Sequence, residues 1–290
     1  MTKIVITLYD RFLLAETALA TLKEWALECD ELTELIICVD YAHNNLERDR
    51  VFNLVSNFTI DNSKVNVTKF LPSNNLGAKV IMTTIWNTSI CEKECDFVWI
   101  EDDIEFKAKD LNSMISLIRN HCSENSPIIC AYDFGGDLIV GHRYQGVLWF
   151  WGGSGRYHKA LDLTLSNISI LQNLSKFTDD WFIYLYWAII GFRLRYLRLH
   201  HWDYALMFHL WNDGKQVYWQ SIRGVKNVGF NSKGTHTQRY KPLSYIKDAH
   251  ATDVDIFYSY AAIRRTRLSR TFFIIKMVIK TFLNLFSNRA

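Results

Sequence analysis

Along the first hundred positions, apolar residues alternate between short unbroken runs and stretches spaced by three and four. Residues 3–8 (KIVITL) and 34–39 (ELIICV) are continuous, partly β-branched runs of strand length. Between them, Ala18, Leu19, Leu22, Trp25 and Ala26 recur at helical spacing over residues 15–28. The alternation continues with a helix over 46–57, a strand over 64–70, a helix over 76–88 and a strand over 97–100. Strand and helix in succession need crossover connections, so the expected fold is α/β, a mostly parallel sheet flanked by helices.

The second half is less regular. A helix over 111–121 returns to a strand over 127–132 (PIICAY), and residues 144–155 (YQGVLWFWGGSG) read as an aromatic, then glycine-rich loop. Such a loop lets backbone approach a ligand closely. A helix is expected around 159–167, followed by one that Thr178 caps, with Asp179 and Asp180 in its first turn and Gly191 at its C-terminal end. No repeat or low-complexity linker interrupts the chain. Residues 1–255 therefore read as one domain, with a nucleotide-binding half over about 1–110 and an acceptor half over about 111–255. Residues 256–290 form a basic tail.

Sheets of this kind bind ligands beyond the carboxyl ends of their strands. There the sequence places Tyr9, Asp10 and Arg11 after the first strand, Asp40 after the second, and Glu101, Asp102 and Asp103 after the fourth. Three consecutive acids repel one another unless something positive sits among them. Hard divalent cations such as Mn2+ or Mg2+ want carboxylate oxygens and commonly bridge protein to a diphosphate. Acids in a first helical turn, as at Asp179 and Asp180, also favour the helix dipole. Trp181 and the glycine-aromatic loop add a partly apolar cleft in which a carboxylate can serve as general base.

With 290 residues, 49% hydrophobic and 22% charged, the composition is that of an ordinary globular chain. A formal net charge of +3 is too small to point to nucleic acid. Six cysteines scattered through expected helices and strands suit free thiols. The apolar run at residues 4–8 is halted by Asp10 and Arg11 before it reaches signal-peptide length, so the expected location is cytoplasmic.

These motifs, in this order, resemble the GT-A fold glycosyltransferases, above all the inverting, metal-dependent β-1,2-N-acetylglucosaminyltransferases. The resemblance runs through Asp10-Arg11, Asp40, the EDDIEF stretch from Glu101, the loop from Trp151 to Gly155, the DDW from Asp179 and the FNSKGTH stretch from Phe230. It implies that Asp103 binds the metal, Mn2+ or Mg2+, and that Asp179 is the catalytic base. Bacterial family-2-type glycosyltransferases share the fold, and by their pattern Asp180 is the base; the choice between the two stays open. It further implies donor contacts from Thr7, Tyr9, Asp10, Arg11, Asp40, Lys79, Glu101, Asp102, Gly153, Ser154, Lys233 and His236. Trp151 and Trp181 would meet the acceptor. The longer insert between Asp180 and Gly234 departs from the family and leaves the acceptor undefined.

After Asp255 the chain holds no acid, and Arg264, Arg265, Arg267, Arg270, Lys276, Lys280 and Arg289 are basic. Residues 271–286 form an amphipathic helix of about 24 Å, short of the roughly 30 Å of a bilayer core. It suits an interfacial helix on the anionic inner face of the cytoplasmic membrane; the alternatives are an oligomerisation helix or one docked on the core. The expected function is transfer of a sugar from a nucleotide donor, uridine diphosphate linked, to a glycan or lipid-linked glycan in bacterial surface polysaccharide (O-antigen or capsule) synthesis. The alternatives are a nucleotidyltransferase on a related sheet and a non-catalytic membrane adaptor retaining the fold.

Overall fold

The computed structural model describes residues 1–40, 45–72, 76–91, 95–133, 140–143, 148–159, 165–177, 181–197, 202–228, 271–272, 274–279 and 281. The chain divides into two compact units. The first takes Met1–His142, Gly146–Ala160 and Val217–Asp248; the second takes Arg143–Gln145, Leu161–Gln216 and Ala249–Ala290. The expected boundary near residue 110 falls inside the first unit.

That first unit is α/β, as expected. Its elements are β1 (Thr2–Leu8), α1 (Phe12–Glu28), β2 (Thr33–Val39), α2 (Asn45–Ser56), β3 (Val65–Phe70), α3 (Gly77–Ile85), β4 (Asp96–Glu101), β5 (Ile104–Glu105), α4 (Ala108–His121), β6 (Ile128–Cys130), β7 (Val140–Arg143), β8 (Phe150–Ser154), β9 (Val217–Gln220) and β10 (Lys226–Asn227). The main sheet has the order β3-β2-β1-β4-β8-β6-β9-β7, and β5 pairs with β10 in a small antiparallel ribbon. β1, β2, β3 and β4 run parallel, whereas β8 is antiparallel to both its neighbours.

The sequence explains most of these elements directly. β1 and β2 are buried nearly throughout, as strands covered on both faces must be. α1 buries Ala15, Ala18, Leu19, Leu22, Trp25 and Ala26, the stripe expected from spacing. α4 starts three residues earlier than expected because the Asp110 carboxylate accepts the Lys107 N–H at 2.8 Å and closes its first turn. α3 runs on into a π-helical turn, Trp86–Cys91. None of the six cysteines is in a disulfide.

Residues 150–154 are not a loop. They form β8 in the middle of the sheet, where Gly152 and Gly153 are required by packing. A Cβ on Gly152 would stand 2.3 Å from the Phe97 carbonyl oxygen and 2.7 Å from Ile118 Cδ1, and one on Gly153 would stand 2.3 Å from the Pro127 carbonyl oxygen. Trp151 is fully buried, stacked on Trp86 and Trp99 at 5.9 Å from each, with Phe97 edge-on.

The second unit contains α5 (Ile170–Phe177), α6 (Trp181–Leu197) and α7 (Trp202–Asn212). Trp187 sits among Tyr204, Phe208 and Trp211 with ring centroids at 5.2, 5.9 and 4.9 Å. Gly191 is inside α6 and not at its end: a Cβ there would meet Ile170 at 2.7 Å and Phe208 at 3.0 Å. Helix-to-helix approach, and not capping, is what this glycine serves. The described part of the helix expected at 159–167 is a turn, with Leu165 at φ 56° and α5 starting only at Ile170. Among the described residues no helix is long and apolar enough to cross a membrane.

Candidate functional site

Six strands, β1, β2, β3, β4, β6 and β9, end on one rim of the first unit's sheet. β6 points the same way as β1, β2 and β4, because β4 and β6 both pair antiparallel with β8. The chain lays β2 and β3 on one side of β1 and then returns to place β4 on the other. The gap between the ends of β1 and β4 is therefore the point where the strand order reverses, and ligand crevices form at such points.

The acids expected on this rim are there, and so is the positive charge they need. Arg11 Nη1 stands 3.2 Å from Asp102 Oδ1 and 2.9 Å from Asp103 Oδ2, tying the end of β1 to the end of β4. Asp102 Oδ2 accepts the Tyr9 N–H at 3.0 Å, so this side chain also ends the β1 ladder. The Asp40 N–H donates to the Leu8 carbonyl at 2.9 Å and holds the end of β2 against β1. The Thr7 hydroxyl donates to the Ile100 carbonyl at 3.4 Å. Asp40, Asp102 and Asp103 are buried, while Thr7, Tyr9, Asp10, Arg11 and Glu101 are half-buried.

One guanidinium cannot neutralise two carboxylates. Burial pushes the Asp102 carboxyl up to about 7, with Asp103 and Asp10 adding to the rise and Arg11 and the Tyr9 N–H opposing it. Burial followed by the charges of Asp40 and Asp10 likewise raises the Tyr9 hydroxyl. Asp103 keeps its Oδ1 buried and without a hydrogen-bond partner among the described residues.

The rim contains a further acid that the sequence reading passed over. Asp133 lies three residues beyond the end of β6, and it is buried. Its Oδ2 accepts the Gly224 N–H at 3.1 Å, and its own N–H donates to the Val225 carbonyl at 3.1 Å. Burial raises the Tyr132 hydroxyl to about 12, so it stays protonated while its oxygen accepts the Asn227 N–H at 3.1 Å. The Val228 N–H then donates to the Asp103 carbonyl at 2.8 Å, next to the β5–β10 pairing. Residues 222–228 thus form a strap from Asp133 to the backbone of Asp103. The signal available in the sequence was an acid immediately after a run of strand length.

Three expectations are corrected. Gly153 and Ser154 pair with Phe97 and Asp96, at the start of β4 and roughly 15 Å of strand from Glu101, so they do not line the acidic rim. Trp151 is consumed by the core and has no face for an acceptor. Trp181, the first residue of α6, is 41% exposed. The side chain of Lys79 in α3, together with Asp179, Asp180, Lys233 and His236, lies outside the described residues. A hollow of about 340 Å³ bordered by Trp25, Glu31, Thr33 and Arg119 lies at the opposite end of β2 and takes no part in the rim.

No family model matches the chain. No curated protein matches it in sequence. Several solved structures are similar to it over part of its length. They include TarS of S. aureus, residues 1–349, with 10% identity over 79% of this chain and 60% of that one and a TM-score of 0.39. The mannosyltransferase PcManGT of Pyrobaculum calidifontis, in complex with GDP-Man and Mn2+, is 11% identical over 66% of this chain and 52% of that one, with a TM-score of 0.39. A protein of Desulfovibrio desulfuricans G20, provisionally a nucleotide-diphospho-sugar transferase, is 8% identical over 58% of this chain and 68% of that one, with a TM-score of 0.35.

Proposed function

We propose that the chain is an inverting glycosyltransferase of GT-A type that moves a sugar from a nucleotide diphosphate donor, uridine diphosphate linked, to a hydroxyl of a lipid-linked glycan. The observation that carries this reading is Arg11 held between Asp102 and Asp103 at the reversal of strand order. Two carboxylates against one guanidinium leave a negative rim that a diphosphate can approach only through a cation, and this rim is fixed by hydrogen bonds at three strand ends.

In this reading Asp40 and Tyr9 meet the nucleoside, and Arg11 holds Asp102 and Asp103 in place for the cation that would face the diphosphate. Asp179 or Asp180 takes the proton of the acceptor hydroxyl, whose oxygen attacks the anomeric carbon while the bond to the diphosphate breaks on the opposite face. An α-linked donor then gives a β-linked product. Mn2+ or Mg2+, when bound, supplies Lewis-acid neutralisation of the departing diphosphate. The residues present fit such an ion. With both aspartates ionised, the Arg11–Asp102–Asp103 group carries one net negative charge, and Asp103 Oδ1 is the oxygen left without a partner. Ions that bridge to a diphosphate need only one or two carboxylates.

The basic tail after Asp255 supports work at the cytoplasmic face of a membrane, on a bacterial surface polysaccharide such as O-antigen or capsule. The test is thermal unfolding with Mn2+ and a panel of nucleoside diphosphates, triphosphates and nucleotide sugars, beside Asp103→Asn, since a ligand of the folded state raises the midpoint. A metal-dependent rise with one diphosphate class, absent in the variant, supports the donor site. A rise with triphosphates alone moves the reading to nucleotidyl transfer, and no rise with any nucleotide removes the donor site altogether.

A further inference from the structure

Helix α6 is apolar on both sides, yet only one side is covered. Phe182, Tyr186, Trp187, Ile190 and Leu194 are buried. The exposed side chains among the described residues of this helix are Trp181 at 41%, Leu185 at 39%, Phe192 at 44% and Tyr196 at 59%. A helix on a water-facing surface normally turns charges outward. Here the outward residues are spaced by four, seven and four, which places them within an arc of about 60° and along about 22 Å. The rings of Phe192 and Tyr196 stack at 5.6 Å, so the stripe is continuous at that end.

The order of residues along the stripe and the charge around it point to one kind of occupant. Trp and Tyr, each with an apolar body and a polar tip, stand at the two ends, and Leu and Phe lie between them. The helix itself contains no acid and two arginines, Arg193 and Arg195, both towards its Tyr196 end, while Asp179 and Asp180 precede it in the chain and Asp203 lies in α7. Arg195 is held by the carbonyls of Leu165 and Ile168, neutral groups that leave its charge uncancelled. A second copy of the chain would bring the same positive charge to the contact, whereas an anionic lipid surface answers both the arginines and the apolar stripe.

We propose that the Trp181–Leu185–Phe192–Tyr196 face of α6 lies in the interface of an anionic membrane, parallel to its plane, as a lipid contact separate from the basic tail. The inference does not depend on glycosyl transfer.

The test is co-sedimentation of the full chain with vesicles of phosphatidylglycerol and phosphatidylcholine, and with phosphatidylcholine alone. The variants are Phe192→Ser with Tyr196→Ser, Leu185→Ser, and Arg270→Gln with Lys276→Gln in the tail. The expected result is partitioning into anionic vesicles that weakens with salt and falls about tenfold or more in Phe192→Ser/Tyr196→Ser at an unchanged unfolding midpoint. Leu185→Ser should weaken partitioning in the same direction, which keeps the test decisive if the double variant unfolds. Unchanged partitioning in both α6 variants, or equal binding to neutral vesicles, overturns the proposal. So does a concentration-dependent dimer that the α6 substitutions dissolve without affecting vesicle binding, since the stripe would then belong to a second copy. No transfer assay enters, so failure of the donor site would leave this result standing.

Discussion

Arg11 Nη1 lies 2.9 Å from Asp103 Oδ2, and the two residues come from turns that follow different strands. The same nitrogen is 3.2 Å from Asp102 Oδ1, so one cation joins β1 to β4 across the rim. Replacing Arg11 with Met leaves Asp103 buried without its counter-charge and drives Asp102 further towards its protonated form, a loss on the order of 3 kcal/mol. Lys should recover much of this, because both contacts are made by the single nitrogen Nη1, a role that one ammonium can fill if its stem reaches the same point. Denaturant unfolding of Arg11→Met, Arg11→Lys and the Arg11→Met/Asp102→Asn double variant checks the assignment. The double variant should be more stable than Arg11→Met alone.

Asp102 makes stability depend on pH in an unusual direction for an acid. Its folded value, about 7, lies above the ordinary 3.8, so the folded state holds a proton that the unfolded state releases first. The contribution is fully present below about 4 and is lost as pH rises through about 7. Asp102→Asn removes the titration but keeps an oxygen for the Tyr9 N–H. Between pH 5 and 8 its stability relative to the parent chain should therefore rise, by a few kcal/mol at most. A constant difference across that range would show that Asp102 does not titrate there.

The parallel half of the sheet was legible because β1, β2 and β4 are fully covered and their sequences are unbroken apolar runs. The acids after those strands were legible for the same reason: once a strand's end is known, the rim residues follow. What a linear pattern does not show is which charges meet. The three acids Glu101, Asp102 and Asp103 point to a metal, and nothing in the linear pattern shows that Arg11, some ninety residues earlier in the chain, also places a positive charge among them. β8 was missed because FWGGS has neither alternation nor β-branched residues. Its strand conformation comes from pairing with β4 and β6, and its glycines from contacts that only the assembled sheet creates.

That origin makes β8 sensitive to small changes. Gly152→Ala places a methyl group against the Phe97 carbonyl and the Ile118 side chain, and backbone cannot yield as a flexible side chain can. A loss of roughly 2 kcal/mol or more is expected. Gly214→Ala, at φ 70° with open space around it, should cost less, through backbone strain alone. Thermal midpoints of the two variants, compared side by side, separate packing from conformation.

At the opposite end of the sheet Lys3 is completely buried, and its Nζ lies 2.8 Å from Glu34 Oε2. Thr68 donates to the other carboxylate oxygen at 2.9 Å. The two partners are unequal: Glu34 keeps some access to water and a second hydrogen bond, whereas Lys3 has neither. Glu34→Gln, which leaves a buried ammonium without its counter-charge, should therefore cost about 3 kcal/mol. Lys3→Met should cost less, because the carboxylate it leaves can be hydrated. Equal losses in urea unfolding would show that the pair is worth the same from either side.

The strap from Asp133 yields the prediction closest to chemistry. Asp133 fixes the turn at Gly224 and Val225, Tyr132 fixes Asn227, and Val228 fixes the carbonyl of Asp103. Asp133→Ala removes the first anchor and leaves the Gly224 N–H without its carboxylate, a loss of about 1–3 kcal/mol if that group stays buried. If the strap positions Asp103, the slackening must travel along it. Amide exchange should accelerate at Gly224, Asn227 and Val228 while the amides of β1 keep their protection. Asp133→Asn, which retains an acceptor oxygen, should restore most of that protection. Exchange confined to Gly224, with Val228 unchanged, would mean that Asp133 serves its own turn only and that Asp103 is held by β4 alone.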